Sequence, residues 1–213
     1  VPLATAGRSA EQPMEEKEPG TGTIEVSESA ASKAAGPRAN VVLIGFMGTG
    51  KSSVGRRVAE SLGFRFVDTD HLVVELAGKP ITQIFEDEGE ERFRKLESEA
   101  LRQCATKSGQ VIATGGGIVT QARNHELLRQ AGHVVWLKAD PDAVLSRVSR
   151  NRDRPLLQTE DPLKTIRELY ASRVELYRAC ADEEINTTDL TLEETAHGLS
   201  ESARIALASR GCS

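Results

Sequence analysis

The stretch Gly45-Phe46-Met47-Gly48-Thr49-Gly50-Lys51-Ser52 constrains this chain more than any other, because it meets G-x-x-x-x-G-K-[ST] at every fixed position. The apolar run Val41-Val42-Leu43-Ile44 leads into it, and the amphipathic pattern Lys51–Leu62 follows. That context predicts a strand, a tight glycine turn and the first turn of a helix. Glycines let the backbone wrap closely around phosphate oxygens with its N–H groups turned inward. A helix beginning near Lys51 adds the positive end of its dipole. The expected nucleotide contacts are Gly48, Thr49, Gly50, Lys51, Ser52 and Ser53. Lys51 is expected to reach the β- and γ-phosphates, and the Ser52 hydroxyl to ligate magnesium. Such a loop binds a nucleotide. GTPases, motor ATPases, nucleotide kinases and small-metabolite kinases all use it, so the acceptor must be read elsewhere.

From Asn40 onward short apolar runs alternate with helix-length amphipathic stretches. Val41–Ile44, Phe64–Val67, Val111–Ala113 and Val134–Leu137 read as buried strands, with a weaker one near Glu183–Asn186. Helical patterns cover Lys51–Leu62, Ile81–Glu88, Glu90–Cys104, Asn124–Gln130, Asp142–Ser149, Pro162–Cys180 and Leu192–Ala208. Alternation of this kind predicts an α/β fold, a parallel sheet with helices on both faces.

In such a sheet ligands bind outside the carboxyl ends of the strands. Phe66-Val67-Asp68-Thr69-Asp70 ends the second strand there. Asp68 is placed for magnesium through a bound water, and Asp70 for orienting an acceptor hydroxyl and receiving its proton. The same spacing also suits a helix N-cap, with Asp70 before helical His71–Leu76. On Glu91-Arg92-Phe93-Arg94-Lys95-Leu96-Glu97, Arg94 is the candidate grip for an anionic acceptor, held by Glu97 one turn on. The competing reading is a solvated, salt-bridged helix face. Val111-Ile112-Ala113 runs into Thr114-Gly115-Gly116-Gly117, and three glycines at a strand's end suggest close backbone approach to a ligand. This strand lacks the terminal Asp usual in hydrolases with this loop. Magnesium would then depend on Ser52 and Asp68, which favours a kinase.

Arg147, Arg150, Arg152 and Arg154 precede Pro155-Leu156-Leu157 where a helix enters a loop, as expected of a lid closing over phosphates. Arg154 is the choice for the transition-state arginine and Arg147 for stacking on the adenine. Without interleaved aromatics the cluster does not read as a nucleic-acid patch. Arg173 could return to the pocket from the next helix, or stand as an exposed helical charge. The formal net charge of -5 also argues against a general nucleic-acid role. No segment approaches the roughly 18 apolar residues that cross a bilayer. Cys104, Cys180 and Cys212 lack metal or disulfide spacing and read as reduced thiols, so a cytoplasmic setting is expected. Residues 1–38, rich in Ala, Glu, Ser, Thr, Gly and Pro, are expected to form a disordered tail before a domain over 39–209. A monomer is the default expectation, since no long apolar surface stripe stands out.

In family order, the chain carries Gly45–Ser52, Asp68-Thr69-Asp70, Phe93-Arg94, Gly115-Gly116-Gly117, Arg154-Pro155-Leu156-Leu157, and Arg173 before Tyr177. Together they resemble the shikimate kinase family across nearly all of Asn40–Ala208. The resemblance implies a P-loop three-layer α/β/α fold with a five-stranded parallel sheet of the nucleoside-monophosphate-kinase type and a short lid. It implies ATP- and Mg²⁺-dependent phosphorylation of the 3-hydroxyl of shikimate. It further implies that Asp70, Arg94, Gly116, Gly117 and Arg173 hold shikimate, that Arg154 meets the transferring phosphate and that Arg147 neighbours the adenine. Some members place an arginine after the last strand, where Asn186-Thr187-Thr188-Asp189 has none. The alternatives are a kinase for another polyol acid, such as gluconate, and a non-catalytic homologue that binds nucleotide or shikimate.

Overall fold

Val41, Val42, Leu43 and Ile44 are all fully buried, as a strand covered on both faces must be. In a computed structural model of the chain, which describes residues 39–149 and 159–209, they form β1 (Asn40–Ile44) at the centre of a parallel sheet. The tail expected over residues 1–38, the arginines Arg150, Arg152 and Arg154, and Cys212 lie outside the described residues. The other strands are β2 (Arg65–Asp68), β3 (Gln110–Ala113), β4 (His133–Lys138) and β5 (Glu183–Asn186). Their order is β2-β3-β1-β4-β5, with Val42 opposite Ile112 on one side and Val134 on the other. The expected five-stranded parallel sheet is present.

Alternation along each strand divides the core. Val41, Leu43, Val111, Val135 and Leu137 meet α1 (Lys51–Leu62) and α8 (Leu192–Ser209). Val42, Ile44, Ile112, Val134 and Trp136 meet α3 (Ile81–Ala105), α4 (Ala122–Ala131) and α7 (Val174–Cys180). Successive strand side chains point to opposite faces, so an uninterrupted apolar run supplies both layers. α2 (Thr69–Ala77) packs on α3 through Val73, Ile84, Phe93 and Leu96 beside the sheet's C-terminal edge. α5 (Pro141–Val148) and α6 (Pro162–Ala171) enclose Phe46 with Val144, Val148 and Ile166. Among the described residues no helix is long and apolar enough to cross a membrane. Cys104 and Cys180 are free and buried, and burial pushes the Cys104 thiol up to about 11.

Several boundaries differ from the sequence reading. β2 is only partly buried because it lies at the sheet's edge, leaving Arg65 exposed. The two helical patterns expected before and after Gly89 are joined in α3, with the break kept at Gly89 (φ 76°, ψ 179°). The single helix expected over Pro162–Cys180 is interrupted. Ser172 N donates to Glu168 O and Arg173 N to Tyr170 O, a tightened last turn that ends α6 and starts α7 one residue after Arg173. Asp70 is not the cap of α2. The helix begins at Thr69, and the Asp68 carboxylate accepts the Asp70 N–H at 3.0 Å.

At the opposite end of the sheet Asn40 is fully buried and joins three segments. Its Nδ2 donates to Lys107 O and Ala131 O, each at 2.7 Å, and its Oδ1 accepts from Gln110 N at 2.9 Å. Removing it strands buried backbone groups on β3 and α4. Asn40→Ala is expected to cost about 3 kcal/mol in urea unfolding, with nucleotide affinity unchanged. A loss below about 1 kcal/mol would show that the amide does not tie these segments together.

Candidate active site

The phosphate loop sits at the C-terminal end of β1, and its glycines answer to specific neighbours. A Cβ on Gly45 (φ 141°) would fall on the Leu137 carbonyl of β4, and one on Gly48 (φ 74°) would lie 2.7 Å from Val148 Cγ1. Gly50 (φ 91°) supplies the left-handed residue from which α1 starts. Lys51, only 9% exposed, donates through Nζ to Gly45 O at 2.8 Å and Phe46 O at 2.7 Å, so its ammonium sits inside the loop's curve. The Thr49 hydroxyl donates to Phe46 O at 2.9 Å, within the loop itself. Ser52 Oγ donates to Asp68 Oδ2 at 2.8 Å. The two expected magnesium ligands, sixteen residues apart in sequence, are thus in direct contact.

A cavity of about 410 Å³ opens here, lined by Lys51, Ser52, Ser53, Asp68, Asp70, Gly116 and Arg147 among others. A neighbouring one of about 460 Å³ runs from Gly48 and Ser53 past Arg147 to Thr187 and Leu190. Arg147 stands between them. Its guanidinium donates to Thr187 O at 2.6 Å and Thr188 O at 3.2 Å. These carbonyls lie in the segment after β5 that carries no arginine.

On the other side of Asp70 the structure separates Arg94 from its charged neighbours. Arg92 and Lys95 pair with Glu88 and Glu91 on the exposed face of α3. Arg94 turns inward with its side chain 13% exposed, and donates to Glu97 at 2.5 Å and to Glu90 Oε1 at 2.9 Å. Glu97 is 1% exposed. The solvated-face reading holds for its neighbours and fails for Arg94.

The glycine triplet closes this wall. An ideal Cβ on Gly115 would lie 2.9 Å from Asp70 Oδ1 and overlap the Glu97 carboxylate, and one on Gly117 would lie 2.8 Å from Arg94 Cζ. Gly116 rests against the phosphate loop, 3.4 Å from Met47 N by the same measure. None of the three has positive φ, so what they provide is room. Arg173, at the break before α7, donates from Nη1 to Gly116 O at 3.3 Å and lies 5.8 Å from the centre of the Phe46 ring. Asp70, Arg94, Gly115, Gly116, Gly117 and Arg173 therefore converge beside the phosphate loop. Arg154 lies outside the described residues. Two contacts escaped the sequence reading. Thr69 Oγ1 accepts from Gly115 N at 3.2 Å, and Tyr177 Oη donates to Gly116 O at 2.5 Å. The spacing of Tyr177 four residues after Arg173 was the available signal for the second.

The model of a family described as shikimate kinase matches residues 47–204. A curated shikimate kinase of Caldanaerobacter subterraneus subsp. tengcongensis is 50% identical over 157 residues, 74% of this chain and 91% of its own. A solved shikimate kinase from Acinetobacter baumannii, in complex with shikimate, superposes with a TM-score of 0.74 at 40% identity, covering 79% of this chain and 94% of that one. A gluconokinase from Sinorhizobium meliloti 1021 shares the fold alone, at 18% identity and a TM-score of 0.52 over 81% of this chain and 95% of its own.

Burial pushes the Glu97 carboxyl above its ordinary 4.5; Arg94 and Arg173 pull it down, and Asp70 adds to the rise. The folded state then holds this proton more tightly than the unfolded chain. The corresponding stability is full below the unfolded value and is lost as pH rises through the folded one. Glu97→Gln removes that titration. Its stability relative to wild type should therefore rise with pH above 4.5 in paired urea unfolding series. A pH-independent difference would contradict the assignment.

Proposed function

The chain belongs to the shikimate kinase family, and on that premise we propose that this site transfers the γ-phosphoryl group of ATP to the 3-hydroxyl of shikimate. The observation that carries the reading is the convergence of Asp70, Arg94, Arg173 and the glycine triplet against the phosphate loop. An acceptor with one carboxylate and ring hydroxyls suits two guanidiniums on one side and a carboxylate on the other. Arg94 and Arg173 take the acceptor carboxylate by charge-assisted hydrogen bonds. Asp70 orients the attacking hydroxyl and receives its proton.

On the donor side the loop N–H groups from Gly48 to Ser53 cradle the phosphates, and the Lys51 ammonium follows the β- and γ-oxygens. Arg147 takes the adenine side. Arg154 is the lid arginine for the transferring group. Ser52 and Asp68 would hold Mg²⁺, since they offer hard oxygen donors already in contact. Among the described residues no three His, Cys, Asp or Glu side chains form a metal cluster, so nucleotide oxygens and water would complete the shell. Mg²⁺, when bound, neutralises charge on the β- and γ-phosphoryl oxygens. Because the transition state is loose, orientation by Asp70 and charge stabilisation by Lys51 weigh more than full deprotonation.

ADP release should be fast with shikimate and near background with gluconate or with no acceptor. Equal turnover with gluconate would overturn the acceptor assignment. Asp70→Asn is expected to lower kcat by about 10³ while ATP affinity stays within about twofold. Turnover close to wild type in that variant would remove Asp70 from its role.

A further inference from the structure

From α7 the phenol of Tyr177 enters the wall of the acceptor pocket from behind. Its side chain is fully buried, and its hydroxyl meets Gly116 O at 2.5 Å. Arg173 Nη1 donates to the same oxygen at 3.3 Å, and a carbonyl with two lone pairs accommodates both donors. The ring of Tyr177 stacks on Trp136 of β4, centroids 5.5 Å apart and planes 25° from parallel. Trp136 is itself fully buried in the central sheet. The height of the Tyr177 hydroxyl is therefore set by the core. Burial also holds the phenol well above its ordinary range, so it remains a donor at neutral pH.

The opposite side of the triplet is held in the same manner. Thr69, fully buried at the start of α2, accepts from Gly115 N at 3.2 Å. Between these two contacts Gly116 lies against the phosphate loop, an ideal Cβ there being 3.5 Å from Gly45 O. Movement of Gly116 would thus be felt by Arg173 on one side and by the acceptor wall on the other.

We propose, resting on the acceptor reading above, that Tyr177 is a positioning residue for the acceptor, with Thr69 as its counterpart across the glycine triplet. The phenol fixes the Gly116 carbonyl, and that carbonyl fixes the guanidinium of Arg173. Tyr177 acts through Arg173 and touches no reacting atom.

Tyr177→Phe keeps the ring and its stack on Trp136 and deletes the hydroxyl alone. Steady-state kinetics should show the KM for shikimate rising about tenfold, with the KM for ATP within about twofold. Thr69→Val, which keeps the branched shape, should move the same constant in the same direction and carries the test if Tyr177→Phe does not fold. Calorimetric titration reads shikimate binding without turnover. The midpoint of that titration should shift with the KM. A purely structural contact would lower the melting temperature and leave the ratio of the two KM values at its wild-type level; that result would overturn the proposal. A parallel rise in both KM values would do the same. If wild-type protein bound ATP but neither bound nor phosphorylated shikimate, the acceptor reading itself would fall. If wild type used shikimate and both variants matched it, only the positioning role would fall.

Discussion

Strands β1 and β3 lie side by side, and their outgoing connections leave in opposite directions. β1 feeds β2, which lies beyond β3, and β3 feeds β4, which lies beyond β1. The crevice this opens at the strands' carboxyl ends is where an open parallel sheet binds its ligands. One wall is the phosphate loop after β1 and the other is the glycine triplet after β3. The adjacency is enforced by the ladder from Asn40–Gln110 to Leu43–Ala113 and by Thr114, whose N–H and hydroxyl both donate to Leu43 O, at 3.1 and 3.0 Å. In the proposed reading, nucleotide and acceptor are neighbours because two strands are neighbours.

In the proposed reading the second wall must place cations where an anion can reach them and yet keep them still. A buried charge is costly unless it is paired and hydrogen-bonded. Arg94 meets that condition through Glu97 beneath it and Glu90 beside it. Breaking such a pair by removing one partner costs roughly 3–5 kcal/mol, which makes Glu97 as consequential as the arginine it holds. The glycines let this pair come up against the backbone, because any side chain at Gly115 or Gly117 would occupy the space of a carboxylate or of the guanidinium itself. Packing and electrostatics are therefore one design at this point.

Much of this was legible from residues alone where the signal is local. The phosphate loop carries its own turn chemistry, and continuous apolar runs mark strands covered on both faces. The three glycines read as a place of close backbone approach to a ligand. Their partners did not, since Glu97, Asp70 and Arg94 reach them from other elements. Arg92, Arg94 and Lys95 look alike in sequence, and only the burial of one face of α3 separates them. Arg173 faced the same ambiguity until the break between α6 and α7 turned it toward Gly116. The cap considered at Asp70 falls instead to Asp68, whose carboxylate serves both as helix cap and as partner of Ser52. Tyr177 was marked only by its spacing after Arg173, and Thr69, between two aspartates, gave no chemical signature of its contact with Gly115.

The most direct test concerns the charge that the second wall is proposed to receive. Calorimetric titration of shikimate and of its methyl ester into the wild-type protein compares the same ring and hydroxyls with and without the carboxylate. Two charge-assisted contacts at about 1.5–3 kcal/mol each predict that the ester binds at least about 100-fold more weakly. Equal affinity for the two would contradict the assignment of Arg94 and Arg173 to the acceptor carboxylate.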